Sequence, residues 1–483
     1  MSTRQIASST LWQLASQLAM AAISIVTVKL VATGLSQHLA GFYNSAYGYL
    51  QIFGIIADFG LYAVAVREAS RAKDLAETVG AVVVLRGLIV IVTFAAALLI
   101  AWLIPAWQGT PLPLGVTITA FVPVFTLMAG TLRVIFQVKY RMKWVFVAEV
   151  TQRIVAVSLI GSAVLLGARQ TEDISVLYWF LISGALGSSV LLILSIVGCS
   201  RILLPKLSWD PTLYKRLFRL ALPFGLAFLC TTVFRQADVT LISLLRSDFA
   251  LQNATYGFVQ RVMDMTYLIP TFLLNSTLPI LSERLDKSED TRDFLGKILL
   301  IVLLLGATTA LTGAFWSRPI MGLLTNESYL STATTPGADT ALNWLSITML
   351  TNGLVVYAFY LLLAQHRWRP LVATLAVGAA GSLALNMQLI PQYGFTGAAM
   401  TSALVHTCLA AALTAYAGRV LPARLSMGTV FRWLAYVVLL MVGLLAIRPW
   451  LGTDLWTAGG LVLIVLWIGA ISWATGLVRI LKS

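Results

Sequence analysis

The chain has 483 residues, of which 59% are hydrophobic and 11% are charged, and its mean hydropathy is +0.88. A soluble domain carries about 25% charged residues, so this composition excludes a soluble enzyme or binding domain. The net charge is +14, and the three cysteines, Cys199, Cys230 and Cys408, are too scattered to build a disulfide framework or a metal site.

Apolar stretches long enough to cross the hydrocarbon core of a bilayer recur along the whole sequence. They predict about fourteen membrane helices, at 10–32, 39–66, 78–104, 113–137, 145–167, 175–198, 219–245, 253–281, 297–317, 341–363, 370–390, 394–417, 430–447 and 455–478. The strands of a membrane β-barrel would be about ten residues long and alternate in polarity, unlike these spans. The predicted fold class is therefore an all-α polytopic membrane protein. The first span lacks a small-residue cleavage site, so we expect it to be a retained helix.

The basic residues predict the topology. With the N-terminus in the cytoplasm, 23 of the 33 lysines and arginines fall at the inner side, and four fall in outer loops. Such an excess of inner positive charge sets membrane orientation. The sequence thus predicts that both termini are cytoplasmic, and the net charge needs no nucleic-acid partner.

Landmarks of the second span recur in the eighth. The second span opens at Ala40–Tyr43 and ends at Val66–Arg71, while the eighth opens at Asn253–Tyr256 and ends at Leu281–Leu285. Six spans separate the two copies, so both halves share one orientation, as in transporters with parallel repeats. We predict an N-lobe of six helices at 1–200, a C-lobe of six helices at 201–425, and two extra helices at 426–483. The basic stretch at 198–219 is predicted to be a cytoplasmic linker.

Ten charged residues lie inside the predicted spans. They are Lys29, Arg86, Arg133, Arg153, Arg235, Arg261, Asp58, Glu149, Asp238 and Asp264. A charge inside a membrane persists mainly where it meets a polar cavity or a partner. Because six of the charges are positive and four negative, the surplus of two positive charges indicates a transporter for an anionic substrate.

Two sequence segments resemble a known family. Asp58–Arg71, with the sequence DFGLYAVAVREASR, resembles the end of the second helix in bacterial polysaccharide-biosynthesis flippases, and Ile390–Ser402, IPQYGFTGAAMTS, resembles a signature of their superfamily. That superfamily also contains multidrug exporters and lipid II flippases. The resemblance implies a multi-pass protein of the bacterial inner membrane that moves an undecaprenyl-diphosphate-linked oligosaccharide from the inner to the outer leaflet. It also implies contact with membrane lipids, and polysaccharide polymerase and assembly proteins as partners.

The resemblance further implies a cavity formed by the first, second, seventh and eighth spans. We expect the diphosphate and the sugars to contact Arg261, Arg235, Arg86, Lys29, Tyr47 and Tyr256. We expect three carboxylates to act in ion coupling or gating, namely Asp58, Asp264 and Asp238. Glu149 and Arg153, four residues apart, are expected to form a structural pair.

Each of these roles has an alternative. Arg235 with Asp238, and Arg261 with Asp264, are spaced three residues apart on one helix face, so each set either forms a structural ion pair or presents its arginine to the substrate. Asp58 either acts in gating or cation coupling, or serves as a helix cap or as a cross-helix partner of Arg86. Lys29 and Arg133 lie near span ends, where long basic side chains can extend to the interface.

Two sister functions remain alternatives, a cation-coupled multidrug antiporter and a lipid II flippase. The first span lacks the acidic residue of many multidrug exporters, and only Lys29 and Arg261 represent the cavity arginines of lipid II flippases. An enzyme is disfavoured because the longest outer loop, at 318–340, offers only Glu327 and Asp339 as acidic groups. We expect no cofactor and transport driven by H⁺ or Na⁺, since the sequence shows no nucleotide-binding loop.

Overall fold

The computed structural model describes residues 3–482, with side chains at 12, 15, 16, 19–275, 277, 278 and 280–480. Over this part of the chain the fold is all-helical, and a single isolated bridge joins Leu35 to Thr171. The helices are α1 Thr3–Gly34, α2 Gln37–Asp58, α3 Leu61–Arg71, α4 Leu75–Leu103, α5 Leu112–Thr119, α6 Phe121–Val138, α7 Lys143–Leu165, α8 Ile174–Ser200, α9 Pro211–Leu245, α10 Phe249–Asp286, α11 Arg292–Phe315, α12 Ser317–Leu324, α13 Ala338–Ala364, α14 Trp368–Tyr393, α15 Phe395–Val420, α16 Met427–Ile447, α17 Asp454–Ala474 and α18 Leu477–Lys482.

The predicted membrane-helix architecture is confirmed. Among the described residues, twelve helical stretches are long and apolar enough to cross a membrane. Helices α1 and α10 cover the two remaining predicted spans, at 10–32 and 253–281. The total of fourteen stays a prediction. The second span differs from expectation, because it consists of two helices, α2 and α3, that are separated at Phe59 and Gly60.

The chain divides into two compact units, residues 1–257 and 258–483. In the first unit, α7 packs between α1 and α8, α6 packs on α8 and α4, and α9 runs along α2 and α3. One apolar core of this unit gathers side chains from α3, α4, α6, α7, α8 and α9. The division at residue 200 into N-lobe and C-lobe stays a prediction.

In the second unit, α13 is the central helix and packs against α11, α12, α14 and α15. The C-terminal helices are attached to the same unit through α11 and α12. The Trp316 indole donates to the carbonyl oxygen of Leu444 at 2.9 Å, and the hydroxyls of Tyr436 and Thr308 lie 2.7 Å apart. Trp316 and Tyr436 are both buried, so these polar groups find partners within the apolar core.

Candidate functional site

The break between α2 and α3 sets the position of Asp58. Phe59 has φ 41° and ψ 33°, and Gly60 has φ 70°, so two successive residues adopt the left-handed conformation and end α2. Helix α9 passes close to this break, since a Cβ atom on Gly225 would lie 2.5 Å from the Phe59 ring. The ring of Phe59 also stacks on Phe218 of α9. Asp58 is thereby held at the end of α2, beside a tightly packed helix junction.

Arg86 of α4 binds this broken end, and we call Asp58 and Arg86 the inner brace. Its guanidinium makes a 2.8 Å ion pair with Asp58 and donates a 2.9 Å hydrogen bond to the carbonyl oxygen of Ala57. A helix end leaves its last carbonyl groups without amide partners, so Arg86 satisfies one carbonyl and neutralises one carboxylate together. The Arg86 side chain is 2% exposed and that of Asp58 is 37% exposed. The geometry realises the cross-helix alternative for Asp58, while gating by Asp58 and substrate binding by Arg86 stay predictions.

A second ion pair joins α6 to α7. Arg133 donates to a Glu149 carboxylate oxygen at 2.8 Å, and the Ser16 hydroxyl of α1 donates to the other oxygen. Sequence spacing favoured Arg153 as the partner of Glu149 and membrane-interface extension for Arg133. The spacing around the α6–α7 turn could have indicated this pair. Arg133 lies five residues before the end of α6, and Glu149 lies six residues after the start of α7, so a short turn brings them side by side. Pairing of Glu149 with Arg153 stays a prediction.

Uncharged side chains join α2, α9 and α10 near the predicted outer side. We call Asn44, Ser45, Ser243 and Asn253 the outer amide cluster. The Asn253 side-chain amide donates to the Ser45 hydroxyl at 2.9 Å, to the Ser243 hydroxyl at 2.8 Å and to a backbone carbonyl of α9 at 2.9 Å. The Asn44 side-chain amide donates to the backbone carbonyl oxygen of Asn253 at 3.1 Å. All four residues are buried. Sequence reasoning used Asn253 only as a landmark of the repeat and missed this contact.

Two residues from the predicted site meet next to this cluster. The Tyr256 hydroxyl donates to the Asp238 carboxylate at 2.5 Å, and both side chains are buried. Gly48 of α2 lies against Val239, where a Cβ atom would come within 2.6 Å, so α2 and α9 are in direct contact here. In this conformation the Tyr256 ring is therefore enclosed rather than presented to a sugar.

The other predicted site residues are half-buried. Tyr47 points its hydroxyl at Gly184 of α8, where a Cβ atom would lie 2.2 Å away. Lys29, Arg153 and Arg235 belong to the first unit, whereas Arg261 and Asp264 lie on the part of α10 that belongs to the second. The roles assigned to these residues from the sequence stay predictions.

The arrangement can hold charge but, over the described residues, offers no group of three or more His, Cys, Asp or Glu side chains suited to a metal ion. The inner brace and the Arg133–Glu149 pair each join two helices through opposite charges. Each pair has at least one largely buried partner, so it fixes helix positions, and removal of one partner leaves a poorly solvated charge without its counter-charge.

Comparison with known proteins identifies both a family and a fold. The model of the polysaccharide biosynthesis protein family matches residues 6–285, and no curated protein sequence matches the chain. The lipid II flippase MurJ, in an inward closed conformation, is similar with a TM-score of 0.74 and 11% identity, over 98% of this chain and 99% of that one.

Two multidrug transporters share the fold less completely. An inward-facing multidrug resistance transporter of the MATE family has a TM-score of 0.65 and 9% identity, over 85% of this chain and 98% of its own. The Vibrio cholerae MATE transporter VcmN has a TM-score of 0.53 and 12% identity, over 86% and 96%. At such identities the likeness concerns the fold alone. The 98% coverage by the flippase leaves about ten residues unmatched, so its shared fold includes α16 and α17.

Proposed function

The chain belongs to the polysaccharide biosynthesis protein family, and from this membership we propose that it is a flippase for an undecaprenyl-diphosphate-linked oligosaccharide. The substrate is a repeat unit of O-antigen, capsule or exopolysaccharide. The protein moves the unit across a bacterial inner membrane by alternating access and delivers it to polymerase and assembly proteins. It performs no covalent chemistry. One observation carries the proposal: the matched stretch, 6–285, contains all ten charges of the membrane spans.

The diphosphate explains why such charges are needed. Two phosphates carry negative charge that hydrocarbon does not solvate, so their passage requires a wet route lined with cations. The inner brace and the Arg133–Glu149 pair balance two cations with two carboxylates. The in-span charges left are Lys29, Arg153, Arg235 and Arg261 against Asp238 and Asp264. The surplus of two positive charges thus resides in this smaller set, which supports Arg235 and Arg261 as diphosphate ligands.

Movement of H⁺ or Na⁺ supplies the energy in this proposal. Asp238 and Asp264 are the carboxylates that couple the ion to transport, and the hydroxyl of Tyr256 orients Asp238. Asp58, at the junction of α2 and α3, gates the inner side. Binding of an ion or of the diphosphate changes the local charge balance. This change shifts the equilibrium between the inward-open and outward-open conformations, which gives alternating access.

The decisive experiment measures translocation in proteoliposomes with a fluorescent undecaprenyl-diphosphate oligosaccharide. Arg261→Ala removes one proposed phosphate ligand, and a charge-assisted hydrogen bond of this kind corresponds to a loss of about tenfold or more in rate. Arg284→Ala, on the same helix with a half-exposed side chain that pairs with Glu289, is the matched control and is expected to retain the wild-type rate. An equal loss in both variants would overturn the assignment of Arg261.

The same vesicles separate the sister functions. A fluorescent lipid II and a cationic dye are supplied in parallel under H⁺ and Na⁺ gradients. Transport of the dye without transport of any lipid-linked glycan would replace the flippase by an antiporter. Transport of lipid II alone would shift the substrate to the peptidoglycan precursor.

A further inference from the structure

The segment between α8 and α9 is hydrogen-bonded to α4 of the first unit and does not form a loose linker. We call residues 201–210 the strap. The amide of Lys206 donates to the Ala76 carbonyl at 2.9 Å, and the Ser208 hydroxyl donates to the Glu77 carbonyl at 3.2 Å. A Cβ atom on Gly80 would lie 1.8 Å from the Lys206 carbonyl oxygen, so the two backbones touch. The strap therefore has a fixed path across the start of α4.

The length of α4 indicates where this path would lie in a membrane. Helix α4 has 29 residues and is about 43 Å long, whereas the hydrocarbon core of a bilayer is about 30 Å thick. About four residues at each end of a centred α4 consequently extend into the headgroup region. Gly80 is the sixth residue of α4. With α4 centred in this way, the strap crosses it at the boundary between hydrocarbon and headgroups.

The strap carries exposed apolar side chains. Leu204 is 59% exposed, Leu207 is 72% exposed and Trp209 is 65% exposed. Trp209 contacts the ring of Tyr214 edge to face, at 5.3 Å between centroids, which places the indole beside the first turn of α9. Tryptophan and tyrosine are favoured at this interface because their rings are apolar while their N–H or O–H group meets water.

Cations next to the strap add a preference for negative charge. Several neighbouring cations are engaged: Lys206 with Asp74 at 3.3 Å, Arg216 with Glu68 at 2.9 Å, and Arg201 over the ring of Trp144. Lys215 and Arg219 are exposed, four residues apart on one face of α9, and no acidic partner is found for either among the described side chains.

We propose that the strap and the first turns of α9 form a binding site for the headgroups of anionic phospholipids. The leucines and Trp209 enter the interface, and Lys215 and Arg219 bind the phosphates. This inference is independent of the transported substrate, since it concerns bulk lipid at the outside of the first unit.

The test counts bound lipids on the purified full-length protein by native mass spectrometry, with phosphatidylglycerol or phosphatidylcholine as the probe. We expect a preference for phosphatidylglycerol that falls about fivefold for each cation removed in Lys215→Gln and Arg219→Gln. Arg419→Gln with Arg424→Gln removes the same charge from exposed positions at the predicted inner side of the second unit and is the matched control. An equal loss in the control pair would show general attraction to positive charge and overturn the site.

The depth of Trp209 gives a second readout that does not depend on charge. The fluorescence difference between wild type and Trp209→Phe is recorded in vesicles that contain brominated phosphatidylglycerol. Quenching by bromine near the headgroup end of the acyl chain is expected. Quenching by aqueous iodide instead, with no effect of the brominated lipid, would place the strap in water and overturn the proposal.

Discussion

Two regions of the first unit hold their helices together by opposite means. The inner brace uses a full charge on each side, with Arg86 bound to Asp58 and to a carbonyl freed by the helix break. The outer amide cluster uses neutral donors and acceptors, with Asn253 at its centre. Removal of one partner of a charged contact leaves an uncompensated charge and costs much stability. Removal of one partner of a neutral hydrogen bond costs less. The inner brace and the outer amide cluster should therefore respond differently to the removal of one partner.

Removal of one partner of the inner brace should give the largest effect. In Arg86→Met, Asp58 loses its counter-charge and the Ala57 carbonyl loses its donor, so we expect a loss of about 3 kcal/mol in stability. Thermal unfolding of the detergent-purified protein measures this loss. The double variant Arg86→Met with Asp58→Asn removes both charges and should recover most of it. A single variant as stable as the double would contradict the ionic account.

Disruption of the outer amide cluster should have a smaller effect. Asn253→Leu removes the donors to Ser45 and Ser243 and should cost about 2 kcal/mol, because two buried hydroxyls lose a partner. Ser45→Ala removes one acceptor and should cost about half as much. The same unfolding assay, repeated between pH 5 and pH 8, should show a constant difference from wild type, since no group in the cluster titrates. A pH-dependent difference would indicate a nearby charge.

The smallest effect is expected at Asp74, which begins α4 outside the membrane spans. Its carboxylate accepts from the amide of Glu77 and pairs with Lys206, and these bonds lower its pKa. A carboxyl with a lowered folded pKa stabilises the protein fully above its ordinary value of about 3.9 and loses that contribution as the pH falls through the folded pKa. Asp74→Asn should melt slightly below wild type at pH 7, and the difference should begin to shrink below about pH 4 and vanish below the folded pKa. A difference that persists in acid would contradict this account.

The sequence predicted the spans well because hydropathy is a property of each segment by itself. It did not predict the break after Asp58, because the left-handed conformation of Phe59 depends on the packing of α9 beside it. It correctly offered Arg86 as a partner for Asp58, because each is a charged residue that is unfavourable inside a membrane without a partner. It missed the Arg133–Glu149 pair because same-helix spacing favoured another arginine. The outer amide cluster escaped notice since neutral amides barely alter hydropathy.

The distance along the chain between interacting residues has a consequence for biogenesis. Asp58 and Arg86 are 28 residues apart, and Arg133 and Glu149 are 16 apart, so each pair forms between helices made close together in time. Asn44 can form its contact only after Asn253 has been synthesised, 209 residues later. At a synthesis rate of 5 to 20 residues per second, that wait lasts about 10 to 40 seconds. A neutral amide can spend such a time in the insertion machinery or the bilayer at far lower cost than an unpaired charge. The contact of α2 that forms late in synthesis is thus made by neutral side chains, which remain unpaired in the membrane at low cost.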